Sequence, residues 1–231
     1  MGKTESIFDP IAHYYDFFNR LFSLNIDRSW RIILLNQVQK YTRKTRNINL
    51  LDIGTGTGDL LKIFYNCSRL HFKSIIGIDA SYKMLEICNK NIRYNNMHNC
   101  IAVHADACAM PFESNFFDIV VSAFVIRNIE NIRTLFKELY RVLKFDGIFS
   151  FLEFCLPPAY FFRNLYRNYL SIWVKNVGDF LTKSKSYSYF VNSIEKFATV
   201  DLQATMKEEG FRIINFFCLS NGIVQLGVVR K

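Results

Sequence analysis

Three glycines stand at every second position in LLDIGTGTGDL: Gly54, Gly56 and Gly58. An apolar run precedes them and a helical pattern follows, with Asp52 before the loop and Asp59 after it. Glycines so placed let backbone approach a ligand closely. A dinucleotide loop, G-x-G-x-x-G, would put its third glycine where this chain has Asp59, and the two carboxylates would repel a diphosphate. A ligand carrying positive charge fits instead. S-adenosylmethionine has an ammonium and a sulfonium beside a ribose and an adenine, so Asp52, Gly54, Gly56 and Gly58 are candidate contacts to its methionine portion. Asp79 in IIGIDAS stands about twenty residues past the glycines, where an acid can accept the ribose hydroxyls. In HADA, Asp106 can accept from the adenine amino group and Ala107 leaves room for the ring. Ser122 follows at the next strand end, before AFVIRN. One carboxylate alone could be a helix cap, but acids at three successive strand ends point to one ligand.

The elements that must position these residues are legible as an alternation. Apolar, β-branched runs recur at 48–54, 74–79, 100–106, 118–124 and 147–154, separated by helical patterns, which predicts a mostly parallel sheet covered by helices. Ser81 is a predicted N-cap for a helix with Met84, Leu85, Cys88 and Ile92 on one face, and Ile132 to Leu143 forms a second apolar stripe. Near the end, a helix stopped by Gly210 precedes two strands joined at Ser220-Asn221-Gly222, an antiparallel pair. The predicted fold is α/β: a Rossmann-like class I methyltransferase fold with a seven-stranded sheet and helical lids. We expect a single domain over 1–231, with an N-terminal helical lid (1–47), a cofactor-binding core (48–154), a helical lid insertion (155–198) and a C-terminal helix and hairpin (199–231).

Composition narrows the function classes. Half of the 231 residues are hydrophobic, enough for a full core. No charge-free run is long enough to span a membrane and the start lacks a secretory signal, so the expected location is cytoplasmic. The six cysteines and four histidines show no ligand spacing, which predicts neither a disulfide framework nor a metal site. A net charge of +9 raises nucleic acid or an anionic membrane as partners.

The sequence resembles the methyltransferases that add the ring-carbon methyl in menaquinone and ubiquinone biosynthesis, almost end to end. YYDFFNRLFSLNIDRSW is similar to that family's Y-D-x-M-N-x-x-L-S signature and its following tryptophan, and LDIGTGTGDL to its cofactor loop. ADACAMPFESNFFD, IRNIENI, ELYRVLK, LEF, YSYFVNSIEKF and NGIVQL follow in family order. The resemblance implies S-adenosylmethionine as cofactor, with contacts at Thr57, Asp79, Asp106, Ala107 and Ser122. It also implies a lipophilic quinol substrate. The sequence departs from the family at Asn25, where glycine is common, and at LKFDG, where L-K-P-G-G is usual. The closing A-L-H-R-G reads here Gln225-Leu226-Gly227-Val228-Val229, without its histidine.

Methylating a quinol ring carbon needs electron density there, which loss of a phenolic proton supplies. Arg127, beside Asn128 after the fourth strand, is the expected group to favour the phenolate. Asp16, Tyr15 and His13 are candidates for relaying the proton. No protein nucleophile is required. Phe162, Leu165, Tyr166, Tyr169, Leu170 and Trp173 follow helical spacing with Arg163, Asn164 and Arg167 off the stripe. That stripe suits an isoprenoid tail and a peripheral membrane contact at the inner face of the membrane, or else a homodimer contact or the chain's own core. Demethylmenaquinol is the first choice of acceptor. A ubiquinone-precursor benzoquinol is the alternative, and an RNA or small-molecule methyltransferase is the rival class. Against RNA, SAFVI stands where many amino-methylating enzymes have Asn/Asp-Pro-Pro-aromatic.

Overall fold

The computed structural model describes residues 20, 23, 25–182 and 186–231. His13, Tyr15 and Asp16 lie outside them. Seven strands form one sheet: β1 Ile48–Ile53, β2 Phe72–Asp79, β3 Cys100–His104, β4 Phe117–Ala123, β5 Leu143–Phe154, β6 Arg212–Leu219 and β7 Val224–Arg230. Their order is β3-β2-β1-β4-β5-β7-β6. The first five pair in parallel and the last two form an antiparallel pair, as the sequence predicts; β7 lies between β5 and β6 and runs antiparallel to both.

All six residues of β1 are buried, the signature of a central strand covered on both faces. One face carries α1 (Ile26–Tyr41), α2 (Asp59–Tyr65) and α3 (Tyr82–Tyr94), through Trp30, Leu34, Leu61, Phe64 and Cys88. The other carries α4 (Ile132–Val142) and α8 (Leu202–Glu208), through Phe136, Leu139, Leu202 and Met206. The expected N-cap forms, Ser81 Oγ accepting from the Met84 amide at 3.2 Å, and Asn131 caps α4 in the same way, its Oδ1 accepting from the Thr134 amide at 3.1 Å. Because strand order turns outward on either side of β1 and β4, the loops after these two strands open a crevice between them.

Two departures from the family pattern have a backbone reason. Asn25 and Asp146 both adopt positive φ, at 61° and 64°, a conformation natural to glycine and tolerated by Asn and Asp. Asp146 is held there by two guanidiniums, Arg43 at 2.8 Å and Arg230 at 2.9 Å.

Between β5 and α8 a helical layer crosses the carboxyl ends of the strands. It consists of α5 (Tyr160–Tyr169), a π-helical continuation (Leu170–Val177), α6 (Gly178–Thr182) and α7 (Ser186–Phe197). Tyr166, Leu170 and Val174 are buried against Tyr187, Val191 and Ile194 of α7. Their spacing of four would drift about 40° per step around a pure α-helix. The wider π turns cancel that drift and keep the three in one line. At Gly178, a Cβ would come within 2.4 Å of the Tyr187 ring, so glycine sets how closely the two segments meet. Trp30 Nε1 donates to Ser220 Oγ at 2.9 Å, tying α1 to the link between β6 and β7.

Candidate active site

The crevice between the β1 and β4 loops is a cleft of about 1020 Å³ that combines carboxylates with apolar side chains. Asp52, Gly54, Gly56, Thr57, Asp79, Asp106, Ala107 and Asn128 all line it. Strands β1 and β2 and the segments that follow β1, β3 and β4 thus bring the sequence-predicted residues to one cleft.

Asp52, the penultimate residue of β1, is almost wholly buried, and neither carboxylate oxygen has a hydrogen-bond partner among the described residues. Burial pushes its carboxyl up to about 7, an effect that the Thr55 hydroxyl and the charge of Arg31 oppose. A buried acid left in this state is suited to a cationic ligand. Asp79 is held differently: Oδ2 accepts from the Gly56 amide at 2.8 Å and Oδ1 from Ser81 at 2.9 Å, which fixes the carboxylate at the end of β2. Burial raises its pKa while these amides counter the effect. Asp106 accepts from the Cys108 amide at 2.8 Å, turning the chain so that Ala107 faces the cleft. Gly54 has φ 64°, and a Cβ there would stand 2.3 Å from Val125 Cγ2, so the β1 loop can touch the β4 loop only through glycine. These features fit S-adenosylmethionine: an unpartnered buried acid for its ammonium, and acids at the next two strand ends for ribose and adenine.

Two predicted contacts stand apart from the cleft wall. Ser122 is fully buried inside β4, where its hydroxyl donates to the Ile53 carbonyl at 3.1 Å; Ala123 and Phe124 line the cleft in its place. Gly58, at φ 93°, caps α2 and packs on Cys88, whose Sγ would be 2.9 Å from an added Cβ.

A second, apolar cavity of about 420 Å³ adjoins the cleft. Its walls include Trp30, Phe154, Phe162, Leu165, Tyr166 and Phe190. Arg31, Phe124 and Arg127 line both spaces and mark their junction. Phe124 adopts φ 66°, a strained conformation for a bulky residue, and stacks on Phe154 with ring centroids 4.4 Å apart. Arg127 is buried. Its Nη1 donates to Glu153 Oε1 at 2.8 Å and to the Phe124 carbonyl, its Nε to Ser193 Oγ at 3.2 Å, and its amide to Glu153 Oε2 at 3.0 Å. The guanidinium carbon also lies 5.3 Å and 5.0 Å from the ring centroids of Phe154 and Phe190. Asn128 Oδ1 is buried with no hydrogen-bond partner among the described residues.

Sequence reasoning missed Glu153, Arg31 and the α7 residues Tyr189, Asn192, Ser193 and Lys196 that roof the cleft. For Glu153 a signal existed, since a carboxylate in an apolar strand must have a buried partner. Arg31 pairs with Asp27 at 2.6 Å and lies over the Phe124 ring, 5.5 Å from its centroid.

The family histidine would fall at Gly227 in β7. There a Cβ would come within 2.4 Å of Phe151 Cε1, and Gly227 lines neither cavity. Phe151 and Phe216 occupy the space. Gly227→Ala is expected to cost about 1–3 kcal/mol in urea denaturation by overpacking, with cofactor affinity unchanged.

Comparison with known proteins identifies the fold and the family. The fold is shared with a candidate S-adenosyl-L-methionine-dependent methyltransferase of Methanococcus maripaludis (TM-score 0.62, 24% identity, covering 95% of this chain and 91% of that one). It is shared also with Haemonchus contortus phosphoethanolamine N-methyltransferase 2 in complex with S-adenosyl-L-methionine (TM-score 0.57, 21% identity, 79% of this chain and 38% of that one). The chain is 33% identical to the ubiquinone/menaquinone biosynthesis C-methyltransferase UbiE of Geotalea uraniireducens, over 99% of this chain and 96% of that protein. It is 31% identical to the demethylmenaquinone methyltransferase of Bacteroides fragilis, over 99% and 92%. With the family profile matching residues 2–231, the chain belongs to the ubiE/COQ5 methyltransferase family and is a methyltransferase that uses S-adenosylmethionine.

Proposed function

We propose that this methyltransferase acts on a ring carbon of a lipophilic quinol, with demethylmenaquinol as its acceptor and menaquinol as product. One observation carries the reading: a cleft with carboxylates at three strand ends meets an apolar cavity at Arg127 and Phe124. That junction suits a ring that must be polar at its hydroxyl and apolar at its tail. The names of the Geotalea and Bacteroides relatives support the same substrate class.

When bound, S-adenosylmethionine supplies a methyl group on a positively charged sulfur, electrophilic enough that no protein nucleophile is needed. Asp52 holds its ammonium, Asp79 its ribose hydroxyls and Asp106 its adenine amino group, with Thr57 and Ala107 beside them. Phe124 and Phe154 shelve the quinol ring. Arg127 favours the phenolate, and because Glu153, the Phe124 carbonyl and Ser193 fix the guanidinium in advance, little reorganisation accompanies charge development. Asn128 offers its side-chain oxygen at the same place. Tyr15 and Asp16 keep their proposed part in moving the phenolic proton. Among the described residues, Asp27 is the carboxylate on the apolar wall, and it accepts that proton in this reading.

The test is anaerobic transfer of labelled methyl from S-adenosylmethionine to demethylmenaquinol in detergent, with a benzoquinol precursor and bulk tRNA as parallel acceptors. Label on the naphthoquinol, lost in Asp79→Ala, is the expected result. Label on the benzoquinol alone would move the assignment to ubiquinone precursors, and label on RNA alone would overturn the substrate class.

A further inference from the structure

The helical layer over the site has a second face. Opposite the buried line of Tyr166, Leu170 and Val174, the run from α5 through α6 leaves Tyr160, Phe161, Leu165, Ile172, Trp173 and Phe180 more than half exposed. Trp173 is 61% exposed and Phe161 72%. So dense a set of large apolar side chains marks an interaction surface. From the start of α5 to Val177 the charges that this run contributes have one sign. Between Glu153 and Asp179 the sequence contains no carboxylate side chain, while Arg163, Arg167 and Lys175 all fall within that stretch.

The nearest acids from packed elements are already engaged. Asp179 accepts from the Tyr187 and Ser188 amides and the Ser188 hydroxyl, and Glu195 of α7 stands 3.4 Å from Arg167. Arg163 is anchored against the Pro157 and Pro158 carbonyls at 2.8 Å and 3.0 Å, which fixes one cation at the helix start.

We propose that this face docks on an anionic lipid bilayer, with the aromatic and aliphatic side chains inserted at the headgroup level and the basic residues against lipid phosphates. Three observations select this occupant. The surface combines tryptophan, tyrosine and phenylalanine with arginine and lysine, the mixture that interfacial helices use. A second copy of the same face would bring two basic clusters together, which opposes a symmetric dimer there. The face is also continuous with the apolar cavity, because Phe162 and Leu165 line that cavity and are themselves exposed. A lipid tail leaving the site would therefore emerge into the bilayer. Docking itself needs only the surface; its role in presenting the substrate rests on the proposed quinol reading.

Tryptophan fluorescence of the full chain tests the docking. The chain has two tryptophans; Trp30 is buried and hydrogen-bonded, so Trp173 reports on the surface. Vesicles of phosphatidylcholine with phosphatidylglycerol are expected to shift its emission to the blue, brominated lipids to quench it, and pure phosphatidylcholine to do so far more weakly. Phe161→Ser with Ile172→Ser is expected to weaken partitioning about tenfold or more, and Arg167→Glu with Lys175→Glu to remove the preference for anionic vesicles. Trp173→Phe should lose the signal and still cosediment with vesicles.

An unchanged spectrum with every vesicle, or serine variants that bind as well as the parent, would overturn the proposal. So would self-association on sedimentation that the serine substitutions abolish without any vesicle binding. Methyl transfer to a short-tailed quinol in detergent keeps the two readings separate. Transfer without vesicle binding defeats the docking alone, and vesicle binding without transfer to any quinol defeats the substrate class alone.

Discussion

Arg127→Met is expected to lower kcat by about 10²–10³ and, in the same protein, to lower the melting temperature by roughly 10 °C. The two effects have different origins. Glu153 is fully buried and faces Arg127 at 2.8 Å, so removing the cation strands a carboxylate in a site water does not reach. Breaking one side of such a pair costs about 3–5 kcal/mol, whereas neutralising both sides costs far less. Glu153→Gln is the right companion change because its amide oxygen can still accept from the Arg127 backbone N–H, which leucine would leave unpaired. The double variant Arg127→Met with Glu153→Gln should therefore melt near the parent temperature and remain about as slow as Arg127→Met alone. Calorimetry and single-turnover methyl transfer on the same preparations separate the roles. If activity returns together with stability, Arg127 is a structural residue and the phenolate assignment falls.

The pair also shows what a sequence can and cannot disclose. Asp52, Asp79 and Asp106 were readable because each ends a recognisable apolar run, and strand ends of a parallel sheet converge on one crevice. The mostly parallel sheet, the helix capped by Ser81 and the C-terminal antiparallel pair follow from the same local signals. Glu153 closes a similar run, GIFSFLEF, but its partner lies 26 residues earlier in the chain, and no local pattern joins them. Arg31 reads as one more charge on a helix until α1 is packed against β5 and its guanidinium lies over Phe124. Ser122 is the penultimate residue of β4. A hydroxyl at the end of β4 looks available in sequence, yet in the sheet the Ile53 carbonyl takes it. The aromatic stripe was visible as a stripe, but the π turns that split it into a buried line and an exposed face depend on α7 packing beside it.

Cofactor affinity is expected to rise as the pH is raised from about 5 to about 7, approaching tenfold per unit, and then to level off. The cause is Asp52. Burial holds its carboxyl near 7 in the free protein, against an ordinary value of 3.8, so at mildly acidic pH the site carries a proton that the unfolded chain does not. The group therefore contributes to the free protein's stability most fully below about 4, and that contribution is lost as pH rises through about 7, on the order of 4 kcal/mol in all. A cationic ligand reverses the preference. An ammonium beside the carboxylate favours the ionised form, so binding below pH 7 must release about one proton. Calorimetric titrations in two buffers of different ionisation enthalpy read that proton directly. Asp52→Asn should flatten the pH dependence, weaken cofactor binding by about 10- to 100-fold at pH 8, and raise the melting temperature of the free protein there by several degrees, because a buried unpaired charge has been removed. Asp79 supplies the control. Its carboxyl is also raised by burial, but three backbone amides hold it, so Asp79→Asn should weaken binding while the slope remains. A slope that survives in Asp52→Asn and disappears in Asp79→Asn would place the titrating acid at the end of β2 and leave Asp52 without the ammonium.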